Sequence, residues 1–254
     1  MLLLAILCSA AVGLLIGWSG IAGFLLPIFY TGVVKMDQTS ALAFSFALFL
    51  VSGSLGAYSY YRKGQLHLSG SLPLLLGSLG GGVGGVIIHA SLSTSVVIII
   101  LYTVVLVSGI SLLVRLIRED RNLQHAQGSM HLTQKPMVLV LFGVATGALC
   151  TFSGAGGPVL VMPILILWGL DAKFAVGLAL LDSVFIAVPS VIGYGLSADL
   201  DGYALLFILS LVSHAAGVWA GGKSAKKIKQ QPLKLAVGLF STLLAGWKLL
   251  ALLR

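Results

Sequence analysis

Charge is scarce in this 254-residue chain: Asp, Glu, Lys and Arg together make 9% of it, where a soluble domain carries roughly 25%. So little charge cannot cover a water-facing surface, and the 58% of hydrophobic residues is more than one soluble core takes up. Cysteine is nearly missing as well. Cys8 and Cys150 have no partner at metal-ligand spacing, which argues against a zinc site and leaves both as buried packing thiols. No HExxH, GxSxG, Cys/His cluster or phosphate-binding loop pattern occurs, so nothing supports an intramembrane hydrolase, a metal enzyme or an ATP-driven pump. No catalytic residue, metal or cofactor is expected.

The net charge of +8 does not point to nucleic acid, which needs a basic face on a folded soluble surface. Here Lys and Arg stand at the ends of apolar runs, where they act as topology determinants. The opening MLLLAILCSAAVG lacks a basic leader and has Leu7 before Cys8, and it reads as a retained membrane segment rather than a cleaved signal.

What the chain does have is long apolar runs, at 1–34, 39–61, 68–90, 95–117, 136–170, 173–197, 202–222 and 232–253. A helix needs ~20 apolar residues to cross a ~30 Å hydrocarbon layer. Open sheets cannot span, and barrel strands would alternate, so the expectation is an all-α polytopic membrane protein in a lipid bilayer. The runs 1–34 and 136–170 are too long for one straight crossing. Each is interrupted, by SGIAG at Ser19–Gly23 before Pro27, and by SGAGG at Ser153–Gly157 before Pro158 and Pro163. Both interruptions predict broken helices, either shallow re-entrant loops or two short crossings.

These breaks belong to an internal repeat with an offset of 134 to 137 residues. Gly13 meets Gly147, Trp18 meets Phe152, Ser19 meets Ser153, Gly20 meets Gly154 and Gly23 meets Gly157. Further on, Pro27 meets Pro163, Asp37 meets Asp171, and Gly81 and Gly85 meet Gly217 and Gly221. The repeats are 1–118 and 136–254, joined by a polar linker at 119–135. If each broken run folds back as a hairpin, all Lys and Arg except Lys35, Lys248 and Arg254 fall on one side, as the positive-inside rule asks. That arrangement makes the repeats inverted in topology, each a broken-helix hairpin followed by three transmembrane helices. The linker is then cytoplasmic and both termini outside. Inverted repeats with broken helices are an architecture of secondary transporters, one part rocking against the other around a midplane site.

The candidate site lies at the breaks. Glycine lets backbone amides turn toward one point, and a half-helix starting there adds its positive end, which suits an anion without a buried cation. Gly20, Gly23, Gly154, Gly156 and Gly157 supply that backbone, Ser19 and Ser153 supply hydroxyl donors, and Trp18 and Phe152 wall the pocket. The competing reading is close helix packing by small residues, the one preferred for Gly81–Gly85 and Gly217–Gly221. Asp182 is the one carboxylate deep in a run, which marks either proton or cation coupling or a protonated structural group. His214 is its candidate proton partner. Ser183, Ser190, Tyr194, Ser45, Ser52 and Tyr58 put hydroxyls on the runs that follow the breaks, most of them bonded back to helix carbonyls.

Through GLLIGWSGIAGFLLP at Gly13–Pro27 and GALCTFSGAGGPVLVMP at Gly147–Pro163, the chain resembles the TauE/SafE sulfite exporter family, the TSUP transporters. Ile21 stands where the first copy's pattern expects a small residue, and the likeness covers both halves without the linker. The resemblance implies transport of sulfite, thiosulfate, sulfoacetate or a related organosulfonate across a bacterial inner membrane. A passive anion channel and a non-transport membrane scaffold are the alternatives that the residues leave open.

Overall fold

The computed structural model describes residues 1–119, 136–225 and 230–252. The linker read at 119–135 therefore falls outside the described residues except for Glu119, as do Lys226, Lys227 and Lys229. Among the described residues there is no strand. Ten helices follow one another: α1 (Leu2–Ser19), α2 (Leu25–Val34), α3 (Gln38–Arg62), α4 (Leu72–Ser91), α5 (Thr94–Glu119), α6 (Pro136–Ser153), α7 (Gly157–Leu167), α8 (Ala172–Ser197), α9 (Ala204–Ser224) and α10 (Gln230–Leu252). Six of them, α1, α3, α4, α6, α8 and α9, are long and apolar enough to cross a membrane.

Both long runs are broken where the glycines stand. Gly20 and Gly154 take left-handed φ values of 78° and 64°, which end α1 and α6 by closing their amides onto the Ile16 and Cys150 carbonyls. The second arms are short. α7 has 11 residues, a length of ~16 Å against the ~30 Å of the hydrocarbon layer, so each hairpin pairs one long arm with one partial arm. α2 closes in a π-helical turn, Tyr30–Val34, with Lys35 left-handed at φ 65°. Asp37 and Asp171, matched in the repeat, then do the same work: their carboxylates accept N–H groups of Ser40, and of Lys173 and Phe174, and so cap α3 and α8.

Glycine fixes the packing between helices. Gly13 and Gly17 of α1 press on the backbones of His214 and Val218, and Gly217 and Gly221 of α9 press on Ala10 and Leu14. The equivalent pair repeats the arrangement: Gly77 and Gly81 of α4 meet Val140 and Val144, while Gly143 and Gly147 of α6 meet Leu74 and Ser78. In both pairs the contacts advance together, so the partners run parallel. α3 and α8 cross the centre in opposite senses, with Phe46 stacked on Tyr194, Gly53 against Leu180 and Val184, and Gly177 against Tyr60. α5 and α10 are antiparallel too, Gly238 lying on Leu113 and Gly109, and Gly246 by Leu106.

The repeats are thus interleaved. α1 packs on α9 and α6 on α4, α3 on α9 and α8 on α4, α10 touches α1, and α5 touches α6 and α7. One bundle is α4 to α8, and the other is α1 to α3 with α9 and α10. They meet along α3 and α8 and again along α5 and α10, and the chain passes between them at 63–71 and 198–203.

Candidate functional site

The two breaks share one cavity. Ile16, Gly20, Ile21 and Gly23 line it from the first hairpin, and Ala155, Gly156, Pro158 and Val159 from the second. α3 closes it with Phe49, Ser52 and Gly53, and α8 with Leu180 and Ser183. Its empty volume is about 270 Å³ counted out to the mouth. The positions on α3 and α8 lie near the middle of each helix, so the cavity sits midway along the central pair.

The local geometry of the breaks follows from their sequence. Ser19 Oγ donates to the Leu15 carbonyl (2.8 Å) and accepts the Ile21 amide (3.3 Å). Ser153 repeats this with Leu149 (2.8 Å) and Ala155 (3.3 Å). Both hydroxyl hydrogens are therefore committed to their own helix, and the serines act on the cavity by fixing the turn. Gly156 has φ 73° and ψ 151°, a region essentially confined to glycine. Its counterpart Ala22 has no positive φ, so the two breaks differ in backbone conformation at this position. Ser183 accepts the Gly157 amide at 3.1 Å while donating to Ala179, and in this way α8 caps the start of α7. The amides of Ala22, Gly23, Phe24 and Gly156 make no hydrogen bond to any described residue. Gly23 and Gly156, two of these, line the cavity.

Of the sequence-predicted residues, Gly20, Gly23 and Gly156 are brought together at the cavity. Gly157 lies just behind, against Ser183, and Gly154 packs on Leu42 and Pro27. Trp18 turns away and donates its indole N–H to Ser224 at 2.8 Å, and Phe152 is partly exposed. Asp182 and His214 are not brought together. Asp182 is fully buried beside Ser78 of α4 and Cys150 of α6, both carboxyl oxygens without a hydrogen bond. His214 is also fully buried, but its Nδ1 bonds the Ser9 carbonyl (3.0 Å) and the ring adjoins Leu48. Leu48 and Asp182 are repeat equivalents, and so are Ser78 and His214. The same corner of each bundle is polar in a different way.

Phe49 is the residue that sequence reasoning passes over. Its ring lies between the breaks, 2.8 Å from where a side chain on Gly23 would begin and 3.7 Å from the same point on Gly156. A phenylalanine in an apolar helix carries no signal of its own. The one available hint is the repeat, since Phe49 matches Ser183, which faces Gly157 in the other half.

A model of the family described as sulfite exporter TauE/SafE matches residues 2–247. The chain belongs to that family. It is also similar to the probable membrane transporter protein YdhB of Bacillus subtilis (strain 168), 26% identical over 240 residues that cover 92% of this chain and 95% of the relative. No solved structure matches. As a TauE/SafE protein the chain is a multi-pass membrane transporter, and its broken hairpins are the conspicuous departure from simple spanning helices. Cys150 ties the second break to the interior of this transporter, its thiol reaching the Gly156 carbonyl at 3.5 Å with Asp182 on its other side.

Proposed function

We propose that this protein is a secondary transporter of a small sulfur-containing anion, sulfite, thiosulfate or an organosulfonate, bound in the cavity between the breaks. The observation that carries this reading is the convergence of both hairpins on one cavity, with unbonded N–H groups of Gly23 and Gly156 in its wall. Such amides, beside the start of α7, stabilise negative charge in a site without a cation. The family's description names sulfite, which supports this choice of substrate class.

The repeats are inverted in the membrane in this proposal, and the antiparallel crossing of the equivalent helices α3 and α8 supports it. Arg62 and Lys63 at the end of α3 and Lys173 at the start of α8 lie at the same end of that crossing, and that end is assigned to the cytoplasm of a cell whose inner membrane holds the protein. Asp182 is assigned to proton coupling, since it is fully buried on a membrane-spanning helix, where a carboxyl costs stability unless it serves a function.

The test is flux of labelled sulfite, thiosulfate, sulfoacetate, taurine and sulfate in proteoliposomes carrying the full chain, with and without a pH gradient. Saturable flux of at least one sulfur anion, accelerated by the gradient, is expected. Unsaturable, gradient-blind flux is the channel outcome, and no flux or binding of any of them is the scaffold outcome.

A further inference from the structure

We infer that the cavity selects singly charged anions, hydrogensulfite or an alkylsulfonate, and turns away dianions such as sulfate and thiosulfate. This rests on the transport reading above and narrows it by charge state, removing thiosulfate and the doubly charged sulfoacetate from its candidate cargoes. Among the described residues no Lys, Arg or His lines the cavity. Its apolar wall is Ile16, Ile21, Phe49, Val159 and Leu180, and its polar wall is thin. Ser52 and Ser183 both spend their hydroxyl hydrogens on their own helix, toward Leu48 (3.0 Å) and Ala179 (3.0 Å). What remains is the pair of unbonded glycine amides.

The cost of taking an ion out of water rises with the square of its charge, so a dianion loses roughly four times what a monoanion loses. Attraction to neutral donors rises only in proportion to charge, and two amides cannot close that gap. The nearest ionisable groups add no help. From α8 it is Asp182, next to the cavity residue Ser183, and from α6 it is Cys150, behind Gly156. Any negative charge on either opposes an anion, and opposes a dianion twice over. α1, α3 and α7 present no titratable side chain to the cavity. The apolar side of the wall, with Phe49 at its centre, fits the hydrocarbon part of an alkylsulfonate.

The experiment measures efflux of labelled sulfite, methanesulfonate, sulfate and thiosulfate from proteoliposomes, with equal pH on both sides, in mildly acidic and then mildly alkaline buffer. Sulfite passes from mainly hydrogensulfite to mainly the dianion across that range, whereas methanesulfonate stays singly charged. The expected result is a fall of about tenfold in sulfite flux with methanesulfonate steady within about twofold, and sulfate and thiosulfate at about one tenth of methanesulfonate or less. Methanesulfonate shares any effect of Asp182 or Cys150, so it isolates the charge of the cargo. Sulfate or thiosulfate carried as fast as methanesulfonate, or sulfite flux that holds in alkaline buffer, overturns the selectivity and leaves transport standing. Absence of flux for all four overturns the transport reading itself.

Discussion

Leu48 and Asp182 hold equivalent places on the two central helices, and the repeats part chemically there. Leu48 needs nothing from its neighbours, while the Asp182 carboxyl has Ser78 and Cys150 close by, with neither oxygen in full hydrogen-bond geometry. In a dry interior an ionised carboxyl is costly, so a proton that reaches it is readily taken up. Asp182→Asn keeps the shape and the buried polar surface and removes the proton. Sulfite flux in that variant should lose its response to a pH gradient while downhill flux persists, and the unfolding midpoint in detergent should move by less than ~1 kcal/mol, as neutral swaps of matched shape do. A destabilised variant that still follows the gradient would assign the carboxyl to packing alone. Hydropathy alone exposes Asp182, because a carboxylate in an apolar run stands out. It says nothing of Ser78 or Cys150, which come from helices distant in sequence. Nor does it tell that Ser19 and Ser153 turn their hydroxyls back onto Leu15 and Leu149, since a serine in a turn has carbonyls and cargo equally within reach.

Spacing makes the helix faces readable, and α4 is the sharpest case. Its run from Gly80 to Gly85 looks uniform, yet Gly77, Gly81 and Gly85 recur every four residues and so share one face. That face meets α6 so closely that a Cβ on Gly81 would strike the Val144 backbone, and one on Gly85 would lie 2.8 Å from Thr151. Gly80 and Gly84 have nothing within 4 Å. Alanine at either open position should raise stability by about 0.5–1 kcal/mol, the ordinary helix gain over glycine. Gly81→Ala should lower it by about 1–3 kcal/mol, because a backbone cannot yield as a side chain does. Thermal unfolding of the three variants in one detergent checks the contrast, and equal effects at Gly81 and Gly84 would dismiss the zipper. The partner of each face was not legible. In lipid, the side of a helix that meets protein is no less apolar than the side that meets acyl chains, so α6 as the partner of α4 emerges only from the packing. The walls of the cavity, Phe49 and Leu180 above all, are hidden for the same reason. The breaks were legible because glycine and proline have local physical consequences that no neighbour has to supply, whereas Asp37 and Asp171 stood out only as a matched pair of the repeat.

At the scale of the whole molecule, the repeat read from the chain and the bodies that can move are different objects. A rocking motion of 1–118 against 136–254 would have to unzip α1 from α9 and α4 from α6, where backbone lies on backbone. Close-packed interfaces of that kind move as units. The division that leaves both zippers intact runs along α3 and α8 and along α5 and α10, between α4 to α8 and the remaining helices. The crossings of that boundary at 63–71 and 198–203 carry Gly64, Gly70 and Gly202, all left-handed with φ between 66° and 78°, whereas the cavity lies on the boundary itself. In the transport cycle proposed above, alternating access is then a sliding or rocking of α3 on α8 and of α5 on α10. A disulfide between Tyr60→Cys and Gly177→Cys, which joins α3 to α8 away from the cavity, in a background with Cys8 and Cys150 replaced by Ala, should stop sulfite flux, and reduction should restore it. A disulfide between Val86→Cys and Gly193→Cys joins α4 and α8, helices of opposite repeats inside one bundle, where a side chain on Gly193 meets first the Val86 side chain that the change replaces, and flux should survive it. If the second cross-link blocks transport and the first does not, the repeats themselves are the moving bodies, and the zippers must open in every cycle.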